Sequence, residues 1–227
     1  MAAAEPPHSS SSGGDHRLPT IAVTFVGALG AGKTSLVVRI SSGTFAVAYR
    51  PTLSLDFEFA TRVKSGQTFS LGLRDTSGEE RFASMIPTVV RGCRVLVLVY
   101  DVTDPRTVDD MMDRFVKDCE PQLSEHLALV AVVANKVDTL DDAGRAEAQA
   151  TVDEKVRSIE QRLHDAERAA AVHGFLTSAK SGEGVEALLE RAIDEAGPAA
   201  AEAAAVPPLV TDAPRGSSGG SGWFARC

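Results

Sequence analysis

The sequence predicts an α/β domain: a six-stranded, mostly parallel sheet with one antiparallel edge strand and about five flanking helices. Three observations carry this. Apolar runs at 20–26 (TIAVTFV), 95–100 (VLVLVY) and 129–133 (LVAVV) are nearly continuous, as expected of strands covered on both faces. Helical patterns fill the gaps between runs, which implies crossover helices. An alternating pair, 55–63 and 68–74, is separated by a turn signal at Gly66 and reads as an antiparallel hairpin.

In chain order, the first strand stops at Gly27, and a helix over 33–41 follows a Gly-rich turn. In the first hairpin strand Leu55, Phe57, Phe59 and Thr61 share one face. A helix over 106–118 starts after Asp104-Pro105, an N-cap and a first-turn proline. Phe175-Leu176-Thr177 is a short last strand, and 184–196 is an amphipathic helix. In such a sheet, ligands bind at the C-terminal ends of the strands.

Residues 151–172 are unusual. They open with a capping-box pattern, Thr151-x-x-Glu154. Val152, Val156, Ile159, Leu163, Ala166 and Ala170 then recur in alternating steps of four and three, and His173-Gly174 closes the helix. Two readings stand: a surface helix laying this stripe on its own domain, or a docking or pairing helix.

The organisation is therefore a domain over 18–196, with an extended helical insertion at about 141–172. Two tails, 1–17 and 197–227, are Ser/Pro/Gly-rich and Ala/Pro then Ser/Gly-rich. Neither buries enough apolar surface to offset the entropy of ordering. A core of this size can bury roughly 70% of its unfolded surface, so it needs no staples. The formal charge is −8, which argues against general affinity for nucleic acid or anionic membrane. Cys93, Cys119 and Cys227 are too few and scattered for a disulfide scaffold or zinc site; a reduced intracellular compartment is the expectation. No apolar run approaches the ~18–20 residues needed to cross a bilayer. No signal peptide is expected from the N-terminal residues, and Ala2 does not match the Met-Gly myristoylation signal.

The chemistry sits in four motifs. Residues 27–34 read Gly27-Ala28-Leu29-Gly30-Ala31-Gly32-Lys33-Thr34, matching G-x-x-x-x-G-K-[ST]. A phosphate chain needs backbone N–H groups at a helix N-terminus, where the dipole favours anions. Gly27, Gly30 and Gly32 permit the turn; Lys33 can reach the β- and γ-phosphates, and the Thr34 hydroxyl can hold Mg²⁺. Asp75-Thr76-Ser77-Gly78 ends a strand. Its Asp can bind Mg²⁺ through water, and the Gly78 N–H can meet a γ-phosphate. Asn135-Lys136-Val137-Asp138 follows another strand. A carboxylate there accepts from guanine N1–H and the 2-amino group together, a pair adenine lacks. Ser178-Ala179-Lys180 follows the last strand and can present the Ala179 N–H to guanine O6. Each short motif is weak alone; in this order, each after a strand, the set is specific.

With these motifs, residues 20–196 resemble a Ras-superfamily small GTPase, and within it the Rab family. The Rab signals are Thr52-Leu53-Ser54-Leu55-Asp56-Phe57, Asp75 through Phe82 (DTSGEERF), Arg91-Gly92, Tyr100 through Asp104 (YDVTD) and Thr177 through Lys180 (TSAK). The resemblance implies a P-loop G domain that binds GTP or GDP with Mg²⁺ and hydrolyses GTP, a switch in vesicle traffic. Lys33, Thr52, Gly78 and Glu79 would be catalytic. Leu29, Ala31, Ser35 and Phe45 would join the nucleotide-binding set, Phe45 edge-on to the guanine. Thr34, Thr52 and Asp75 would hold the metal. Expected partners are effectors, exchange factors and activating proteins, with no nucleic acid. The protein would be a cytoplasmic monomer, peripheral on the cytosolic face of an endomembrane.

The sequence departs from the family in four places. The family's water-positioning glutamine is Glu79. A carboxylate only accepts and adds negative charge beside a charged transition state, so slow intrinsic hydrolysis is expected. The competing reading makes Glu79 a base, or lets Glu80 or a partner substitute. Leu29 stands where the family usually has a small residue: it either obstructs an arginine finger supplied in trans or points harmlessly outward. Of the usual Rab aromatic trio only Phe57 remains, Arg74 and Val89-Val90 replacing the others. The chain ends in a single Cys227, either prenylated, with Trp223 and Phe224 as interfacial support, or a free thiol. Glu79, Leu29 and Arg74 also admit a rival reading, a GTP-bound scaffold that scarcely hydrolyses.

Overall fold

The computed structural model describes residues 17–45, 55–79 and 84–205. Among the described residues six strands form one sheet in the order β2-β3-β1-β4-β5-β6. In the chain they run β1 (Thr20–Gly27), β2 (Asp56–Lys64), β3 (Gln67–Asp75), β4 (Val95–Asp101), β5 (Leu129–Asn135) and β6 (Ala171–Thr177). Only the edge pair β2–β3 is antiparallel; every other pairing is parallel. Among the described residues five α-helices flank it: α1 (Lys33–Ser42), α2 (Ile86–Val90), α3 (Arg106–Arg114), α4 (Asp142–Asp165) and α5 (Val185–Ala205). This is the predicted architecture.

All seven residues of β4 and of β5 are buried, because helices cover both faces of the sheet. One core packs α1 and α5 against Phe25, Leu71, Leu73, Val97 and Val133. The other packs Met111, Phe115, Val152, Ile159 and Leu163 against Leu96, Leu98, Val130 and Val132. At the antiparallel edge the alternation turns outward: Phe57 and Phe59 are exposed while Ala60 is buried.

Two boundaries correct the sequence reading. The helix expected over 151–172 spans Asp142–Asp165 instead. Asp141 is its N-cap, its Oδ1 accepting from the Gly144 N–H at 2.8 Å. Thr151 lies mid-helix and its hydroxyl donates back to the Glu147 carbonyl. His173 and Gly174 belong to β6 rather than ending the helix. A Cβ on Gly174 would lie 2.1 Å from Val152 Cγ1, so this glycine lets helix and strand approach. The stripe Val152, Ile159, Leu163 is buried in its own domain, as the first of the two readings holds. The second correction concerns the C-terminal tail expected from 197. Residues 197–205 continue α5, through Pro198. Alanine has the highest helix propensity, and Gly197 and Ala200 are buried there, with Phe69 against Gly197.

The helix expected over 106–118 changes character within that span. It is α-helical to Arg114, then makes a π turn over Phe115–Cys119. Among the described residues no helix is long and apolar enough to cross a membrane.

Candidate functional site

The four motifs converge because each follows a strand whose C-terminal end lies on the same edge of the sheet. The phosphate loop leaves β1 and ends at the N-terminus of α1. Gly32, with φ 91°, is the α1 N-cap and makes no side-chain cap; a helix N-terminus entered from a glycine-rich loop suits an anion. A Cβ on Gly32 would strike Asn135 Nδ2 at 2.2 Å, and one on Gly27 (φ 153°) the Val99 carbonyl oxygen at 2.0 Å. These glycines are needed for close approach as well as for left-handed backbone. Ser35 follows in the first turn of α1, and Phe45, beyond its end, packs partly buried on the α1/α5-side core.

Lys33 Nζ lies beneath the loop, donating to the Gly27 and Ala28 carbonyls, each at 2.9 Å. Burial pushes its pKa down to about 8, against the attraction of Asp75 and together with the repulsion of Arg114. A buried ammonium in this position is compensated by anionic charge. The Thr34 hydroxyl donates to Asp75 Oδ2 at 2.6 Å. A hydroxyl and a carboxylate brought together at a helix N-terminus are hard oxygen donors. They suit Mg²⁺, which binds through few protein ligands plus water and phosphate oxygens. Gly78 lies flush over the loop: a Cβ there would be 2.6 Å from both N and Cα of Leu29. Leu29 itself is 54% exposed at the rim. The Glu79 N–H donates to Ser77 Oγ at 3.3 Å.

On the base side, Asn135 is almost completely buried. Its Nδ2 donates to the Ala31 carbonyl at 2.9 Å, and its Oδ1 accepts from the Ala179 N–H at 3.2 Å and the Thr177 hydroxyl at 3.3 Å. One amide thus ties the phosphate loop to the Ser178-Ala179-Lys180 loop. Asp138 Oδ1 accepts from the Ser178 hydroxyl at 2.6 Å, and Lys180 Nζ stands 3.5 Å from its Oδ2. The Ser178 hydrogen bond, then the backbone and Lys180, hold the Asp138 carboxyl below its usual range. Lys136 takes a left-handed φ of 72° and reaches Asp101 Oδ2 at 2.5 Å.

The structure therefore brings together Gly27, Leu29, Gly30, Ala31, Gly32, Lys33, Thr34, Asp75 and Gly78 on one side and Asn135, Lys136, Asp138, Ser178, Ala179 and Lys180 on the other. Thr52 and Cys227 lie outside the described residues.

Three residues escaped the sequence reading. Arg39, in the last turn of α1, donates to the Ala179 carbonyl at 2.8 Å, Lys180 carbonyl at 2.6 Å and Gly43 carbonyl at 2.5 Å. Asp101 anchors Lys136 and accepts from the Thr103 N–H and hydroxyl. Arg114, on α3, donates to the Gly78 carbonyl at 2.8 Å. Distant partners, 35 to 141 residues away in sequence, leave no local signal; only Asp101 carried one, inside the YDVTD run.

The strand order, with a glycine-rich loop after β1 and the other motifs on the same edge, is that of a Ras-like P-loop GTPase domain. Comparison with known families agrees. A model of the Ras family matches residues 22–197, and the chain belongs to that family. Its relatives include the Ras-related protein RabC of Dictyostelium discoideum, 38% identical over 118 residues, 51% of this chain and 59% of that protein. Ras-related protein Rab-18 of Lymnaea stagnalis is 28% identical over 181 residues, 78% of this chain and 81% of that protein. Ras-related protein Rab-1 of Theileria annulata is 29% identical over 119 residues, 52% of this chain and 54% of that protein. The chain thus spans little more than half the length of RabC and Rab-1. At these identities it is a divergent, Rab-like member of the Ras superfamily.

Proposed function

We propose that this chain binds GTP and GDP with Mg²⁺, hydrolyses GTP and acts as a switch in vesicle traffic. The observation that carries the reading is the Asn135 side chain. It joins the phosphate loop to the Ala179 loop beside an Asp138 carboxylate that is held ionised. That arrangement suits guanine and leaves adenine without a matching pair.

Hydrolysis would be in-line attack by water on the γ-phosphate. Lys33 would place positive charge against the β- and γ-phosphates, and the Gly78 N–H would meet the γ-phosphate as negative charge develops. Thr34 and Asp75, completed by Thr52, would hold the cation. Mg²⁺, when bound, neutralises charge on the phosphate oxygens. Glu79 would slow the step, since it cannot donate and adds negative charge where charge already accumulates. Peripheral attachment to a membrane would come from prenylation of Cys227, checked by intact mass after expression in a eukaryotic cell.

The test is to purify the protein in Mg²⁺ buffer, denature it and identify the released nucleotide by chromatography. GDP is expected. An adenine nucleotide, or no guanine-nucleotide binding on reconstitution, overturns the reading. GTP favours a second reading, a GTP-loaded scaffold, to which Glu79 and the bulk of Leu29 at the rim both lean. Single-turnover hydrolysis by Glu79→Gln separates the causes: a faster rate is expected, and an unchanged one acquits Glu79.

A further inference from the structure

We infer that Arg114 is a positioning residue for the γ-phosphate: its guanidinium holds the Gly78–Glu79 peptide in the arrangement that presses Gly78 against the phosphate loop. The inference rests on the proposed GTP/GDP switch and adds a residue to it.

Met111 and Arg114 of α3 and Phe115, the first residue of the π turn, are buried, an i, i+3, i+4 stripe that packs on the sheet. The middle position of an apolar stripe is thus given to a guanidinium, only 9% exposed. A buried charge is costly to fold unless it is hydrogen-bonded, and the bond it makes is to Gly78, 36 residues away, at 2.8 Å. The Gly78 carbonyl and the Glu79 N–H belong to one peptide plane. Arg114 donates to its oxygen, and its N–H donates to Ser77 Oγ at 3.3 Å. The plane is therefore held at both ends. With the plane held, Gly78 lies so close that a Cβ would meet Leu29 N at 2.6 Å. Gly78 thus stands beside the loop that would carry the phosphates. Directly after Arg114 the helix opens into its π turn, Phe115–Cys119. Such turns are frequent at functional sites.

Arg114 thus favours the nucleotide state in which Gly78 closes on a γ-phosphate. A ligand shifts a two-state element only by its differential affinity for the two states. Loss of the contact must therefore weaken triphosphate binding and leave diphosphate binding alone.

The experiment measures affinity for Mg²⁺-GDP and for Mg²⁺ with a non-hydrolysable GTP analogue, plus single-turnover hydrolysis, in wild type, Arg114→Met and Arg114→Lys. Arg114→Met is expected to keep GDP affinity within about threefold and to lose about tenfold in analogue affinity and hydrolysis, the scale of one charged hydrogen bond. Arg114→Lys, which keeps the charge with a shorter reach, should fall between. A core variant away from the site, Ile159→Ala, controls for stability and should leave the analogue-to-GDP ratio unchanged. An unchanged ratio and rate in a folded Arg114→Met protein overturns the inference while the switch reading stands. Should that variant fail to fold, an unchanged ratio in Arg114→Lys overturns it equally. A wild type that binds neither nucleotide overturns the switch reading itself, and this inference with it.

Discussion

Asn135 shows how one side chain can organise a site. Its amide has a donor end on Ala31 and an acceptor end on Ala179 and Thr177, and all of it is buried. Truncation strands the Ala31 carbonyl and the Ala179 N–H without this partner. At about 1–3 kcal/mol per buried polar group left unsatisfied, Asn135→Ala should lower GDP affinity by about a hundredfold or more in titration calorimetry. Asp138 yields a prediction in pH. The Ser178 hydroxyl, followed by the backbone and Lys180, lowers its pKa from 3.8. A carboxyl with a depressed folded pKa contributes stability that is present above 3.8 and lost as pH falls through the folded value. The Tm difference between wild type and Asp138→Asn should be flat from about pH 7 to about pH 5 and shrink below pH 3.8. A difference that instead shrinks around neutral pH would assign the effect to another group.

Packing of α4 on β6 governs the element scale. Gly174 has no Cβ because Val152 fills the space, at 2.1 Å from where a Cβ would stand. Valine is branched at Cβ and stiff, so the helix rather than the side chain must yield. Gly174→Ala should cost about 1–3 kcal/mol in denaturant unfolding. The double variant Gly174→Ala/Val152→Ala should recover part of that cost, because the clash is pairwise. Additive losses would place the strain elsewhere. The same packing takes up half of the heptad-like stripe: Val152, Ile159 and Leu163 are buried in the second core.

At the scale of the whole molecule, the described candidate contacts gather at the C-terminal ends of β1, β3 and β5, at the start of α1 and in the segments that follow β5 and β6. A nucleotide would cross-link β1, β3, β5 and β6, so binding should appear as global stability. Saturation at about 100 times Kd adds about 2.7 kcal/mol. Mg²⁺-GDP should therefore raise Tm by several degrees, about 2–4 °C per kcal/mol for a domain of this size. EDTA should reverse most of that gain, and ATP should produce none. A rise with ATP of equal size would remove the guanine preference.

The sequence by itself determined the sheet, its one antiparallel edge, four of the helices and the four motifs, because each of these is written locally; it did not place the short α2, Ile86–Val90. Strand identity lies in unbroken apolar runs, the phosphate loop in glycine spacing, and the motifs in residues that follow one strand each. It misplaced the ends of two helices for the same reason. The capping pattern at Thr151 and the His173-Gly174 stop are local signals, and tertiary packing overrode both. An Ala-rich segment read as a tail is helix as far as Ala205, because Gly197 and Ala200 find a core. Only the tertiary structure decided that Arg39 clamps the Ala179 loop, that Lys136 answers to Asp101, and that Arg114 reaches Gly78. A long side chain's partner is set by where the sheet brings distant loops together. That information resides in strand order and register, not in the neighbours along the chain.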